Sequence, residues 1–263
     1  MSKRGQVTVF IILGIVVVAA IGFFLYIGGV FTKEEMTGEE IERFVASQVE
    51  PVKKVVEDCV KKTLVDGILF VSIQGGYFDP VYYESFGGYD VSYACKDGIN
   101  RLPLLSFIAG EIVQYQNTNI DEIHSCIGIG FERFEDVGLD LKYDFDDLVL
   151  MNPIIVTEKI TQEVIFPFTI KRSSYTSSVE KVIFDIRSNL AGVYSVAVDV
   201  VNGKCSDLGF DRADYIWDHA QALDVIPALI SNGANQYGYY PWYLTSIEME
   251  ENGELLKFHF CIE

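Results

Sequence analysis

The sequence predicts an α+β protein: an N-terminal transmembrane or filament-core helix and a helical stalk, followed by an external domain of mixed α and antiparallel-β structure. Three observations carry this expectation. Residues 7–30 contain no charged side chain. Apolar positions then recur at spacings of three and four as far as about residue 70. Beyond residue 138 the pattern changes to alternation and ends in a hairpin signal at Asn252-Gly253. The expected parts are a cytoplasmic leader at 1–5, the transmembrane or filament-core helix at 6–30, a mainly helical region at 31–138 and a sheet-containing region at 139–263.

The apolar run reads VTVFIILGIVVVAAIGFFLYIGGV. As a helix it would reach roughly 36 Å, enough for a hydrocarbon core of about 30 Å. Its many β-branched residues disfavour a helix in water, but in lipid a single segment satisfies its backbone only as a helix. Lys3 and Arg4 precede it, while Lys33 is followed by Glu34 and Glu35. The positive-inside bias therefore places the N-terminus in the cytoplasm and the remainder outside. A cleaved secretory signal fits less well, since the run exceeds a usual apolar region of about 7–15 residues and no small-x-small cleavage site follows it.

After a short link at 31–36, Thr37-Gly38-Glu39-Glu40 has capping-box spacing and opens a helix toward Val49. Pro51 marks a kink or a fresh helix start. Val55, Val56, Cys59, Val60, Thr63, Leu64 and Phe70 form an amphipathic stripe, which Gly75-Gly76 ends. Residues 77–96 crowd tyrosines and phenylalanines among Gly, Asp and Pro, with strand-like alternation over 89–95. Helices are expected at 104–116 and 119–136, the second closed by Gly138. Strands follow at 139–145, 148–157, 161–171 and 179–186, with Pro153 and Pro167 marking edges or ends. Ser188 or Asn189 caps a helix through Val201. Residues 211–230 read as helical, broken at Pro227. Residues 242–249 and 255–262 then flank the Asn-Gly turn, whose residues accept the positive φ of a type I′ hairpin.

The net charge of −18 repels phosphate backbones, which excludes nucleic acid as a partner class. A well-solvated external surface accounts for the acidity. Five cysteines are spread without a CxxC pair, against zinc ribbons and thioredoxin chemistry. In an external domain they can form disulfides. Cys59 and Cys126 both fall on expected helices among apolar neighbours and are expected to pair; Cys205 with Cys261 is the second expected pair. Buried reduced cysteines are the alternative.

No GxSxG, P-loop, GxGxxG or HExxH pattern occurs, so no catalysis and no cofactor are expected. His124, His219 and His259 are far apart, and His259 reads as a surface or cross-strand residue. Asp211, Asp214 and Asp218 would share one helical face, a candidate oxygen set for Ca²⁺; helix capping by Asp211 is the simpler alternative. Asp144, Asp146 and Asp147 read as a solvated turn. Two tyrosine-rich loops, with Tyr82 and Tyr83 in one and Tyr237, Tyr239, Tyr240 and Trp242 in the other, are candidates for adhesion or subunit contact. Their rings pair an apolar face with a polar tip, which suits a surface glycan or a partner protein.

Lys3-Arg4-Gly5-Gln6 and the apolar run that follows resemble the class III signal of archaeal type IV pilins and their relatives. The stretch from Arg4 to Gly14 is also similar to the opening of uncharacterised single-span archaeal surface proteins. The resemblance covers about 30 residues and implies peptidase cleavage between Gly5 and Gln6, with the retained helix packing against its copies in a filament core. Phe10 stands where many pilins carry Glu at the fifth mature position. The implied function is a cell-surface structural or adhesion protein, either a pilin-like subunit or an anchored protein; a monomeric tethered ectodomain binding a ligand is the alternative, and an enzyme the third.

Overall fold

A computed structural model describes residues 37–206, 225–230, 243–251 and 254–262. The chain divides into two compact units, Met1–Phe44 and Val45–Glu263. In the first, the described residues begin helix α1 (Gly38–Ile73). The capping box is formed there: the Thr37 backbone N–H donates to Glu40 Oε2 at 2.7 Å, and the Glu40 N–H donates back to Thr37 Oγ1 at 3.4 Å. Those hydrogen bonds hold the exposed Glu40 carboxyl below its ordinary range.

The second unit combines helices with two sheets. In chain order come β1 (Tyr83–Phe86), β2 (Tyr89–Lys96), β3 (Ile99–Asn100), α2 (Leu105–Thr118), α3 (Ile120–Glu135), β4 (Asp140–Tyr143), β5 (Val149–Leu150), β6 (Ile154–Val156), β7 (Lys159–Arg172), β8 (Tyr175–Arg187) and α4 (Leu190–Ser206). Three strands complete it: β9 (Val225–Ile230), β10 (Tyr243–Glu251) and β11 (Glu254–Ile262). One sheet has the order β1-β2-β11-β10-β9, with β3 also on β2. It is antiparallel except where β11 runs parallel to β2. The other is antiparallel and built on β7, which pairs with β8 along one side and with β4, β5 and β6 along the other.

The second sheet and the first three helices share one core. Gln162, Val164, Phe166, Phe168 and Ile170 of β7 are buried in alternation, and Val179, Val182, Phe184 and Ile186 of β8 continue that face. Pro167 is exposed where the β7–β8 register shifts, a bulge that tolerates its missing N–H within a paired strand. Phe131 of α3 packs edge-on to Phe168 at 5.7 Å and to Tyr143 at 5.0 Å. α3 also lies so close to α1 that a Cβ on Gly130 would stand 2.2 Å from Val55 Cγ1. Cys59 and Cys126 are joined across the same contact, with Cα atoms 5.7 Å apart.

Around the first sheet, α4 packs on β2, β10 and β11, with Val193, Val196, Ala197, Val200 and Val201 buried. Phe258 and Phe260 are fully buried, and Tyr194 meets Phe258 edge-on.

Several expectations are corrected. The anticipated succession of transmembrane or filament-core helix, helical stalk and separate sheet-bearing domain is overturned. Among the described residues no helix is long and apolar enough to cross a membrane, and residues 7–30 lie outside them. Helices α1, α2 and α3 take up most of the described part of region 31–138, which is not helical throughout. It contains β1–β3, which complete a sheet with the far C-terminal hairpin. Periodicity reports which face of an element is apolar, and it carries no information on a partner about 170 residues away. Within 211–230, Val225–Ile230 is a strand on the sheet edge, where Pro227 is admissible. Cys205 is joined to Cys95 and not to Cys261, at a Cα separation of 5.9 Å, because α4 returns over β2. Cys261 is reduced and buried. His259 is only 8% exposed, since both faces of β11 are covered.

Candidate functional site

The only expected recognition residues that the structure describes, Tyr82 and Tyr83, belong to a segment that two glycines launch. Gly75 and Gly76 have φ of 76° and 93°, which turns the chain sharply out of α1. A Cβ on Gly75 would stand 2.3 Å from Ser92 Oγ, and one on Gly76 would stand 2.6 Å from Pro103 Cγ. Neither position therefore admits a side chain without movement.

The preceding residue, Gln74, frames the loop that follows. Its buried amide donates to the carbonyls of Tyr77 at 3.2 Å and Phe78 at 2.8 Å, and its Oε1 accepts from the Asp90 N–H at 3.3 Å. One side chain thus ties the loop to β2. Glu111 of α2 accepts from the Phe78 N–H at 2.7 Å and fixes the other side.

The result is a pocket of about 220 Å³ lined by Tyr77, Pro80, Val81, Tyr82, Ser92, Tyr93 and Arg101. Its deep wall is rigid: Ser92, Tyr93 and Pro80 are buried. Tyr77 Oη donates to the Arg101 carbonyl at 2.9 Å, and Tyr93 Oη donates to Glu84 Oε1 at 2.7 Å. Burial first, and the Glu111 charge second, push the Tyr77 hydroxyl above its ordinary pKa, with Arg101 opposing. The Tyr77 hydroxyl therefore stays protonated at neutral pH, and its oxygen keeps acceptor capacity.

Arg101 supplies the charge. Its Cζ lies 4.7 Å from the Tyr82 ring centre, within cation–π range. Its Nε is buried and has no hydrogen-bond partner, and no carboxylate within the described residues forms an ion pair with it. A second cation, Lys96, stands 4.3 Å from the Tyr93 ring centre. In a chain of net charge −18 this corner sets two cations beside the carboxylates of Glu84 and Glu111. It offers positive charge, aromatic faces and hydroxyl acceptors, and no nucleophile with an adjacent base.

Tyr82 and Tyr83 are 53% and 46% exposed, but only Tyr82 lines the pocket. Tyr237, Tyr239, Tyr240 and Trp242 lie outside the described residues, as do Asp211, Asp214 and Asp218 and the processing pair Gly5 and Gln6. Among the described residues no three His, Cys, Asp or Glu side chains are grouped to hold a metal. In the turn at 144–147 Asp144 accepts from the Asp146 N–H at 3.0 Å.

Sequence reasoning missed Arg101 and Gln74. Arg101 reads as one loop cation in Asn100-Arg101-Leu102-Pro103, and only pairing of its N–H with the Ala94 carbonyl at 2.7 Å brings it to the tyrosines. The position of Gln74 just before Gly75-Gly76 was the available signal. No family model, curated protein or solved structure matches the chain.

Proposed function

We propose that this protein is a non-catalytic cell-surface protein of the archaeal type IV pilin-like class, attached to the membrane through its apolar segment 7–30. In this reading residues 31–263 stand outside the cell and serve structure or adhesion. The observation that carries it is the covalent framework. Cys59–Cys126 and Cys95–Cys205 are both bonded, and such bonds persist in oxidising, extracytoplasmic surroundings. Lys3 and Arg4 before the apolar run agree with that orientation. An exposed aromatic pocket that carries a guanidinium supports a binding role.

Electron microscopy of native cell-surface material, with intact-mass measurement of the same sample, tests the reading. Filaments whose subunit mass begins at Gln6 are expected for a pilin-like subunit; a detergent-extracted monomer is expected for an anchored protein. Recovery of the chain in the soluble cytosolic fraction contradicts both.

A further inference from the structure

We propose that the Arg101 pocket binds a carboxylate-bearing sugar ring, a hexuronate unit of an acidic surface polysaccharide; this rests on the surface-binding reading and names its ligand class. Four observations lead there. The guanidinium has an unpartnered Nε and no protein counter-ion within the described residues. A buried donor without a partner is costly, and a carboxylate is the group that matches the guanidinium fork in two parallel hydrogen bonds.

The pocket's other polar atoms favour a sugar over other carboxylates. Tyr77 and Tyr93 have spent their hydroxyl protons on Arg101 O and Glu84. The Tyr77 oxygen therefore presents an acceptor, which suits an O–H donor of a saccharide; an acidic peptide end brings backbone N–H groups and no hydroxyl. Tyr82 is the third element. Its ring covers the guanidinium from an exposed position; an arriving carboxylate takes its place, and the ring turns onto the apolar face of the sugar. Size is the fourth: about 220 Å³ is below the roughly 300 Å³ at which drug-sized sites begin, and holds one ring. The surrounding negative charge repels anions elsewhere on the surface, so a polyuronate would seat where the guanidinium is.

The test uses the full chain in detergent and titrates methyl glucuronide, methyl glucoside and the peptide acetyl-Gly-Gly by NMR. The expected result is at least tenfold tighter binding of the glucuronide than of either comparison compound. Arg101→Gln is expected to abolish that preference, and Arg101→Lys, which keeps charge without the fork, to retain part of it. Because the Arg101 N–H to Ala94 bond is main-chain, both variants are expected to unfold at the wild-type temperature; the Lys variant serves as the second probe if the Gln variant does not fold. Equal binding of glucuronide and glucoside, unchanged binding in the Arg101→Gln variant, tighter binding of the peptide, or no binding of the glucuronide each overturns the proposal. None of these outcomes bears on where the protein resides, which the surface measurements decide separately.

Discussion

Gln116 of α2 and Gln162 of β7 face each other in the core, both fully buried. Gln162 Nε2 donates to Gln116 Oε1 at 2.7 Å, and Gln116 Nε2 returns a bond to Gln162 Oε1 at 3.2 Å. Each amide also reaches a carbonyl, that of Met151 for Gln162 and that of Val60 for Gln116. The pair thus fixes α1, α2 and β7 relative to one another. Gln162→Leu strands the Gln116 amide and is expected to cost about 1–3 kcal/mol in denaturant unfolding, whereas Gln116→Leu with Gln162→Leu should recover part of it. Equal losses in single and double variants would contradict the coupling. Nothing in the sequence marks this pair, since two glutamines 46 positions apart carry no local signature.

Cys261 is fully buried, and burial first, with the Glu84 charge second, pushes its thiol from 9.0 up to about 12. The folded chain holds this proton where the unfolded chain has lost it. The resulting stability is fully present below pH 9 and disappears as pH rises toward 12. Unfolding titrations should therefore show stability falling over that range, less steeply in Cys261→Ala. Ellman titration without reductant is expected to find no reactive thiol in the native protein and one after denaturation. Two or more reactive thiols on unfolding would contradict the disulfide pattern.

At the scale of elements, the α1–α3 contact joins close approach with a covalent tie. Gly130→Leu forces a side chain against Val55 and is expected to lower stability by about 1–3 kcal/mol. Replacing Cys59 and Cys126 by Ala opens a loop with a sequence separation of 67 and is expected to cost about 4 kcal/mol on chain-entropy grounds. Melting curves check both, and wild-type midpoints would contradict the packing described. Both cysteines were legible from their apolar sequence neighbours on expected helices, although Cys59 is buried and Cys126 is exposed. The helices at 105–118 and 120–135 were legible for the same reason, and Pro51 proved compatible with one unbroken α1. The β10–β11 hairpin announced itself through Asn252-Gly253. What was not legible depends on distant partners: β3 is two residues long, pairs with β2 and reaches α4 through Asn100 and Asn202, and β9 looked helical until paired with β10. The Cys95–Cys205 bond likewise needs α4 to lie over β2, which no local pattern announces.

At the scale of the whole molecule, the proposed placement outside the cell rests on two disulfides, a kind of bond that persists in oxidising surroundings. The proposed orientation rests on the charges that flank the apolar run, and the pocket is built from residues 74–101 together with Glu111. The sequence pointed to the tyrosine loop but not to Arg101, because the loop's aromatics are neighbours in the chain and their cation arrives by strand pairing. The most direct measurement is protease digestion of intact cells producing the full chain, followed by mass spectrometry of the released fragments. The account expects fragments from residues 37–262 in the medium, with Cys59–Cys126 and Cys95–Cys205 still linked. Complete protection of the chain until the cells are lysed would contradict it.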